Sequence, residues 1–159
     1  GGPLIDQYAE KGDPNAFPFK KSKVKGLDFS FSGVKTSVLY FLQKQLQENP
    51  QFIEQNLADL CASLQHTIIQ MLMEKLKKAA IANNIKSIGI AGGVSANKGL
   101  RQAVLNSSQM SNWNIFIPEF QYCTDNAGMI AKTGSILYDD GIFGKLTDSP
   151  LPRMPFEEG

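Results

Sequence analysis

Apolar residues recur at three- and four-residue steps through Leu57, Leu60, Cys61, Leu64, Ile68, Met71, Leu72, Leu76 and Ala79. That spacing predicts one long amphipathic helix, which Asn83-Asn84 closes. A second stripe, Val34, Val38, Phe41, Leu42 and Leu46, predicts a helix that Ser32 can cap and Asn49-Pro50 ends. Leu100, Ala103, Val104 and Leu105 mark a third helix. Ala127, Ile130, Ala131 and Ile136-Leu137 mark a fourth, stopped by Gly141. Pro3, Ile5, Tyr8 and Ala9 predict a short helix over residues 3–11, with Pro3 in its first turn and Gly12 at its end. Strict alternation in Leu27-Asp-Phe-Ser-Phe31 predicts a strand. The Ile-rich run 86–91 predicts an interior strand, and Ile115-Phe116-Ile117 predicts another, ended by Pro118.

The resulting order is helix, strand, helix, helix, strand, helix, strand, helix, which implies an α/β fold with a mainly parallel sheet flanked by helices. Three strands are few for a stable sheet. The chain opens Gly1-Gly2-Pro3 without a Met and reads like the middle of a domain, so a fragment is expected, with further strands before Gly1. Residues 1–147 are expected to form one lobe. Residues 148–159, with Pro150, Pro152 and Pro155, are expected to be an extended or disordered tail.

Composition changes this picture little. The 159 residues are 42% hydrophobic and 19% charged, as expected of a soluble domain with a core, and the net charge of +1 creates no global field toward nucleic acid or anionic lipid. The sequence contains no apolar run long enough to span a bilayer. Two widely separated cysteines, Cys61 and Cys123, argue against a disulfide framework and for a reducing, cytoplasmic setting.

The chemistry concentrates at two turns. In Ile88-Gly-Ile-Ala-Gly-Gly-Val-Ser-Ala-Asn-Lys-Gly-Leu-Arg101 a strand breaks at Gly92-Gly93 and enters a helix. Glycines let a ligand approach the backbone, and a helix start offers unpaired N–H groups. Asn97 falls in the first turn: its amide suits ribose hydroxyls or a carbamoyl group, and it equally suits a plain cap. In Cys123-Thr-Asp-Asn-Ala-Gly128 an acid stands where a helix begins. There Asp125 is either an ordinary N-cap, a role Thr124 could also fill, or a hard oxygen donor to a divalent metal. Lys20, Lys21, Lys23 and Lys25 form a basic loop, and Ser30, Ser32 and Lys35 surround the turn at Gly33; both read as solvated surface or as contacts to phosphate. His66, alone on the long helix, receives no role. Cys61 reads as core, Cys123 as partly exposed, and Trp113, Phe17 and Phe19 as packing residues.

Four segments stand in order: Gly1-Gly-Pro-Leu-Ile-Asp6, Phe29-Ser-Phe-Ser-Gly-Val-Lys-Thr36, Ala91-Gly-Gly-Val-Ser-Ala-Asn-Lys-Gly-Leu-Arg101 and Cys123-Thr-Asp-Asn-Ala-Gly-Met-Ile-Ala131. Together they resemble the carboxy-terminal half of the tRNA threonylcarbamoyladenosine synthases of the TsaD type, formerly labelled O-sialoglycoprotein endopeptidases. The resemblance covers nearly the whole chain. It implies an actin-like ATPase fold with two lobes around a nucleotide cleft. It also implies transfer of threonylcarbamoyl from threonylcarbamoyl-AMP to N6 of the adenosine at position 37 of tRNAs reading codons that begin with A. It makes Asp125 a ligand of one divalent metal, iron or zinc, and places substrate binding at Asn97, beside Gly92 and Gly93. Gly2 and Asp6 match a second nucleotide contact, the glycine by its backbone and the carboxylate by accepting from ribose hydroxyls. The implied partners are tRNA, a shorter paralogue and a small ATPase, with no membrane. The family's His-x-x-x-His metal pair has no counterpart here, so the chain alone is expected to be inactive. Two other readings remain: an ATPase or sugar-kinase lobe of the same fold, and a non-catalytic docking module.

Overall fold

The structure is a computed structural model that describes residues 1–21 and 24–150. The chain is α/β, with six helices and one small sheet among the described residues. The helices are α1 (Gly2–Ala9), α2 (Phe31–Glu48), α3 (Phe52–Gln55), α4 (Leu57–Ala82), α5 (Lys98–Ser111) and α6 (Ala127–Asp139). The strands β1 (Ser87–Gly89) and β2 (Asn114–Phe116) pair in parallel, with Ile88 opposite Ile115. Residues group into two compact units, Gly1–Cys123 and Thr124–Gly159.

In the first unit α4 is the spine. Its apolar stripe buries Leu60, Cys61, Met71 and Met73, and α1 and α5 both pack on it. The core centres on Met73, Leu100 and the fully buried Val104, with Ile69, Leu72, Ile90, Trp113, Ile115 and Ile117 against them. The parallel pair β1–β2 needs a crossover, and α5 supplies it. Phe17, Phe41 and Phe52 form a second cluster with ring centroids 5.4 to 5.9 Å apart, and Phe19 joins at 5.4 Å from Phe41. Trp113, Phe17 and Phe19 are thus the packing residues that the sequence implied.

Three expectations fail. Residues 27–31 form no strand: the backbone at Ser30 is extended, but no neighbouring strand pairs with it, and α2 begins at Phe31 with Ser30, not Ser32, in the cap position. Alternation supplies a face, whereas a strand also needs a hydrogen-bonding neighbour. The Ile-rich run is not interior; only Ile88 of β1 is buried, because a two-stranded sheet covered on one side leaves the rest in solvent. Cys123 is not partly exposed but buried at 2% exposure, because Arg101 and residues 118–120 close over it.

Lys21 pairs with Glu74, Lys20 and Lys25 are exposed, and Lys23 lies outside the described residues. No described helix is long and apolar enough to cross a membrane. In the second unit α6 buries none of its residues, and Ile130 and Tyr138 lie open on its surface.

Both cysteines are buried and free, and burial pushes the Cys61 thiol above its ordinary range. A thiol-reactive disulfide reagent at pH 8 should therefore leave both unmodified in the native chain and label both in denaturant. Fast labelling of either without denaturant would refute this packing.

Candidate functional site

A cavity of about 810 Å³ opens between α1, the middle of α4 and the start of α5. Its volume falls within the roughly 300–1,000 Å³ of ligand pockets. Gly2 and Asp6 line it from α1, Gln65, Ile68, Ile69 and Leu72 from α4, and Gly93, Asn97 and Lys98 from the glycine turn and α5.

The glycine turn is built locally. Gly92 has φ +77°, a left-handed conformation that favours glycine. Its carbonyl accepts from the Ser95 N–H at 2.9 Å and from the Ser95 hydroxyl at 2.7 Å, and Ser95 is buried at 1% exposure. This winds residues 93–96 into one 3₁₀ turn that delivers Asn97 to the cap of α5. A Cβ at Gly92 or Gly93 would meet nothing within 4 Å, so the space beside this backbone is open to a ligand.

Asn97 is a cap and more. Its Oδ1 accepts from the Leu100 N–H at 2.8 Å, satisfying one orphan donor of α5. Its Nδ2 donates to Asp6 Oδ1 at 2.9 Å and to Gln65 Oε1 at 2.7 Å. Both amide hydrogens are therefore engaged, and the amide's orientation follows from its partners. Asp6 completes the cap from far along the chain: its Oδ2 accepts from the Lys98 N–H at 3.1 Å. The carboxylate sits at the positive end of α5, where an anion is favoured. Each Asp6 oxygen accepts one hydrogen bond among the described residues and keeps room for another. Lys98 Nζ meets Glu10 Oε1 at 2.6 Å on the rim, and this pairing raises the Lys98 pKa.

The floor is apolar, from Ile5, Leu64, Ile68, Ile69, Leu72 and Leu100. The rim offers a carboxylate, an amide and glycine backbone. Such a cavity can take a flat heteroaromatic ring on the floor while hydroxyls donate to Asp6. The structure thus brings Gly2, Asp6, Gly93 and Asn97 to one cavity; Gly92 stands at the turn above it.

The sequence matches the family model of tRNA N6-adenosine threonylcarbamoyltransferase over residues 1–132. The chain belongs to that family. Proteins named tRNA N6-adenosine threonylcarbamoyltransferase from Riemerella anatipestifer and Christiangramia forsetii are 55% and 57% identical to it, over 96% and 98% of this chain. One from Fervidobacterium nodosum is 43% identical over 97%. The chain spans 45%, 46% and 46% of these relatives, a little under half the length of each.

Within this family member the second turn differs from its sequence reading. The cap of α6 is neither Thr124 nor Asp125 but Asn126, whose Oδ1 accepts from Met129 N–H at 3.1 Å. Asp125 is exposed and, among the described residues, its carboxylate takes part in no hydrogen bond or ion pair within its unit. The Met129 N–H at the start of α6 is taken by Asn126 instead.

Among the described residues no three of His, Cys, Asp and Glu are grouped to hold a metal. His66 lies on α4 with a ring nitrogen against Gln70 Nε2. One carboxylate holds a divalent ion weakly, so the donors among the described residues do not by themselves fit a resident metal.

Three contributors escaped the sequence reading. Neither Gln65, on α4, nor Lys98, at the start of α5, was assigned a role from the sequence. Arg101 is a clamp: its Nε donates to the Ser95 carbonyl at 2.6 Å and its NH2 group to the Pro118 carbonyl at 2.7 Å and to Cys123 Sγ at 3.1 Å. Its guanidinium lies 4.0 Å above the Phe120 ring. It fastens the glycine turn to the segment after β2. Its only legible signal was a long cation directly after Gly99-Leu100, on the buried side of α5.

Proposed function

We propose that this chain is the carboxy-terminal, nucleotide-seating half of a tRNA N6-adenosine threonylcarbamoyltransferase. The observation that carries this is the meeting of Asp6 and Asn97, 91 positions apart, across a cavity edged by Gly2 and Gly93. In this reading the adenosine part of threonylcarbamoyl-AMP lies on the apolar floor, its ribose hydroxyls donate to the spare lone pairs of Asp6, and the backbone at Gly2 and Gly92-Gly93 approaches the nucleotide closely. The N6 amine of the adenosine at position 37 then attacks the carbamoyl carbon. A C–N bond forms, the bond from that carbon to the phosphate oxygen breaks, AMP leaves, and the amine loses one proton.

The lobe belongs to an actin-like fold completed by the length of the relatives that this chain does not span. The chain's contribution is position, which lowers the entropic part of the barrier. Asp125 gives one ligand to a divalent metal, iron or zinc, whose other donors lie outside this chain. The setting is cytoplasmic, and a paralogue and an ATPase assist. Support comes from the family match, the four ordered motifs and the uncommitted carboxylate of Asp125.

A full-length transferase carrying this sequence should convert tRNA to the modified nucleoside, read by mass spectrometry of digested tRNA, only when threonylcarbamoyl-AMP is supplied. Asp6→Ala should raise KM for the adenylate about tenfold, the worth of one lost charge-assisted hydrogen bond. No product from the unsubstituted enzyme would overturn the proposal.

A further inference from the structure

We infer that Gln65 is a positioning residue for this cavity: from the middle of α4 it holds the Asn97 amide with its oxygen toward the start of α5 and its nitrogen toward Asp6. The inference deepens, and rests on, the nucleotide-seating reading above.

An asparagine amide can turn end for end, and its cap hydrogen bond to Leu100 N–H is the one contact that fixes the oxygen from within α5. Gln65 Oε1, at 2.7 Å from Nδ2, adds an acceptor from a different element. With Asp6 Oδ1 at 2.9 Å it consumes both Asn97 hydrogens. If the amide flipped, its oxygen would face two acceptors and its nitrogen would face an N–H. Asn97 is thereby locked, and Asp6, tied to Asn97 and to Lys98 N–H, is locked with it. The carboxylate that receives the ribose is thus aimed partly by a glutamine on another helix.

Gly99 makes this contact possible. A Cβ there would lie 2.8 Å from Gln65 Nε2, 2.9 Å from Ile69 Cδ1 and 3.4 Å from Asn97 Oδ1. The side chain of Gln65 reaches Asn97 by passing over the bare glycine. The two near neighbours at Gly99 are ends of flexible side chains, so Gly99→Ala would displace Gln65 at little cost in folding, offset by alanine's better helix propensity.

The test uses a full-length transferase carrying this sequence. Three variants are compared: Gln65→Leu, which removes the acceptor, Gly99→Ala, which displaces it, and Asn97→Ala, which removes the group being positioned. The readouts are KM and kcat for threonylcarbamoyl-AMP, with thermal midpoints alongside. Gln65→Leu and Gly99→Ala should each raise KM about fivefold, the scale of one neutral hydrogen bond, with kcat within about twofold. Gly99→Ala should do so without lowering the midpoint. If Asn97→Ala raises KM and the other two do not, the inference fails while the nucleotide-seating reading stands. If kcat falls in step with the thermal midpoint in both, Gln65 is merely structural and the inference also fails. If Asn97→Ala itself leaves KM unchanged, the reading of the cavity falls, and this inference falls with it.

Discussion

Replacing Gly12 with alanine should destabilise the chain by about 3 kcal/mol, at the upper end of what overpacking usually costs. Gly12 follows α1 where the chain backbone crosses α4. A Cβ built there would overlap the Ala58 carbonyl and stand 2.7 Å from the Asp59 nitrogen. These neighbours are backbone atoms of a helix, so no side-chain rotation relieves the overlap and the crossing must open. The crossing is also where α1 is stitched down: Asp13 N–H donates to Asp59 Oδ1 at 2.8 Å, and the Ser63 hydroxyl donates to the Asp13 carbonyl at 3.2 Å while accepting from Phe17 N–H at 3.1 Å. Ser63 is fully buried, so a broken bond there leaves an unsatisfied group out of reach of water. Opening the crossing moves α1 and draws Asp6 off Lys98. Urea unfolding should report the loss of stability, and the Lys98 amide should exchange its hydrogen faster. Gly134→Ala, on α6 with nothing within 4 Å of its Cβ, should be neutral or stabilising by up to about 1 kcal/mol. A Gly12→Ala chain within about 0.5 kcal/mol of the original would show that the crossing is looser than this geometry.

Where the fold was legible, one periodicity dominated locally. The stripe from Leu57 to Ala79 announced α4 because a long helix buries one face along its length, and Asn83 and the left-handed Asn84 close it as expected. The segment 27–31 misled because alternation describes a face, and the strand that would pair with it is not among its neighbours. At the site, the glycine turn and Asn97 were legible from the strand break at Gly92-Gly93, whereas Gly2 and Asp6 came only with the family resemblance. The capping alternative for Asn97 is observed, and the same side chain also lines the cavity. Gln65 stayed hidden because its importance comes from lying 32 positions from Asn97 in sequence but 2.7 Å in space. Gly12 stayed hidden for the same reason; read as a helix stop, it is in fact a close approach to Ala58. Local patterns carry element type and caps, whereas contacts between elements follow from packing, which no single segment encodes.

Asn97→Asp separates the two roles of that residue more sharply than any truncation. Aspartate is as good an N-cap as asparagine, so Oδ1 would still accept from Leu100 N–H. If capping were all Asn97 did, stability and ligand affinity would barely change. The network demands a different outcome. The substitution sets a carboxylate oxygen where Nδ2 now stands, 2.9 Å from Asp6 Oδ1 with no hydrogen between the two carboxylates, and the Gln65 amide, whose Oε1 lies 2.7 Å away, must turn end for end to donate. Two unit charges at about 3 Å repel by some 5 kcal/mol at an effective dielectric of 20. Both residues are half-buried, and solvent screening should leave about 2 kcal/mol at pH 7. The repulsion raises the folded-state pKa of the carboxyl pair above its unfolded value. The variant should therefore be weakened at neutral pH and regain stability as pH falls and the pair takes up one shared proton, which restores a donor between the oxygens. The parent chain, holding an amide at this position, should show no such recovery. Thermal midpoints of both chains from pH 7 to pH 4 would decide the matter, and parallel curves would reduce Asn97 to a cap and take the Asp6 link out of the site.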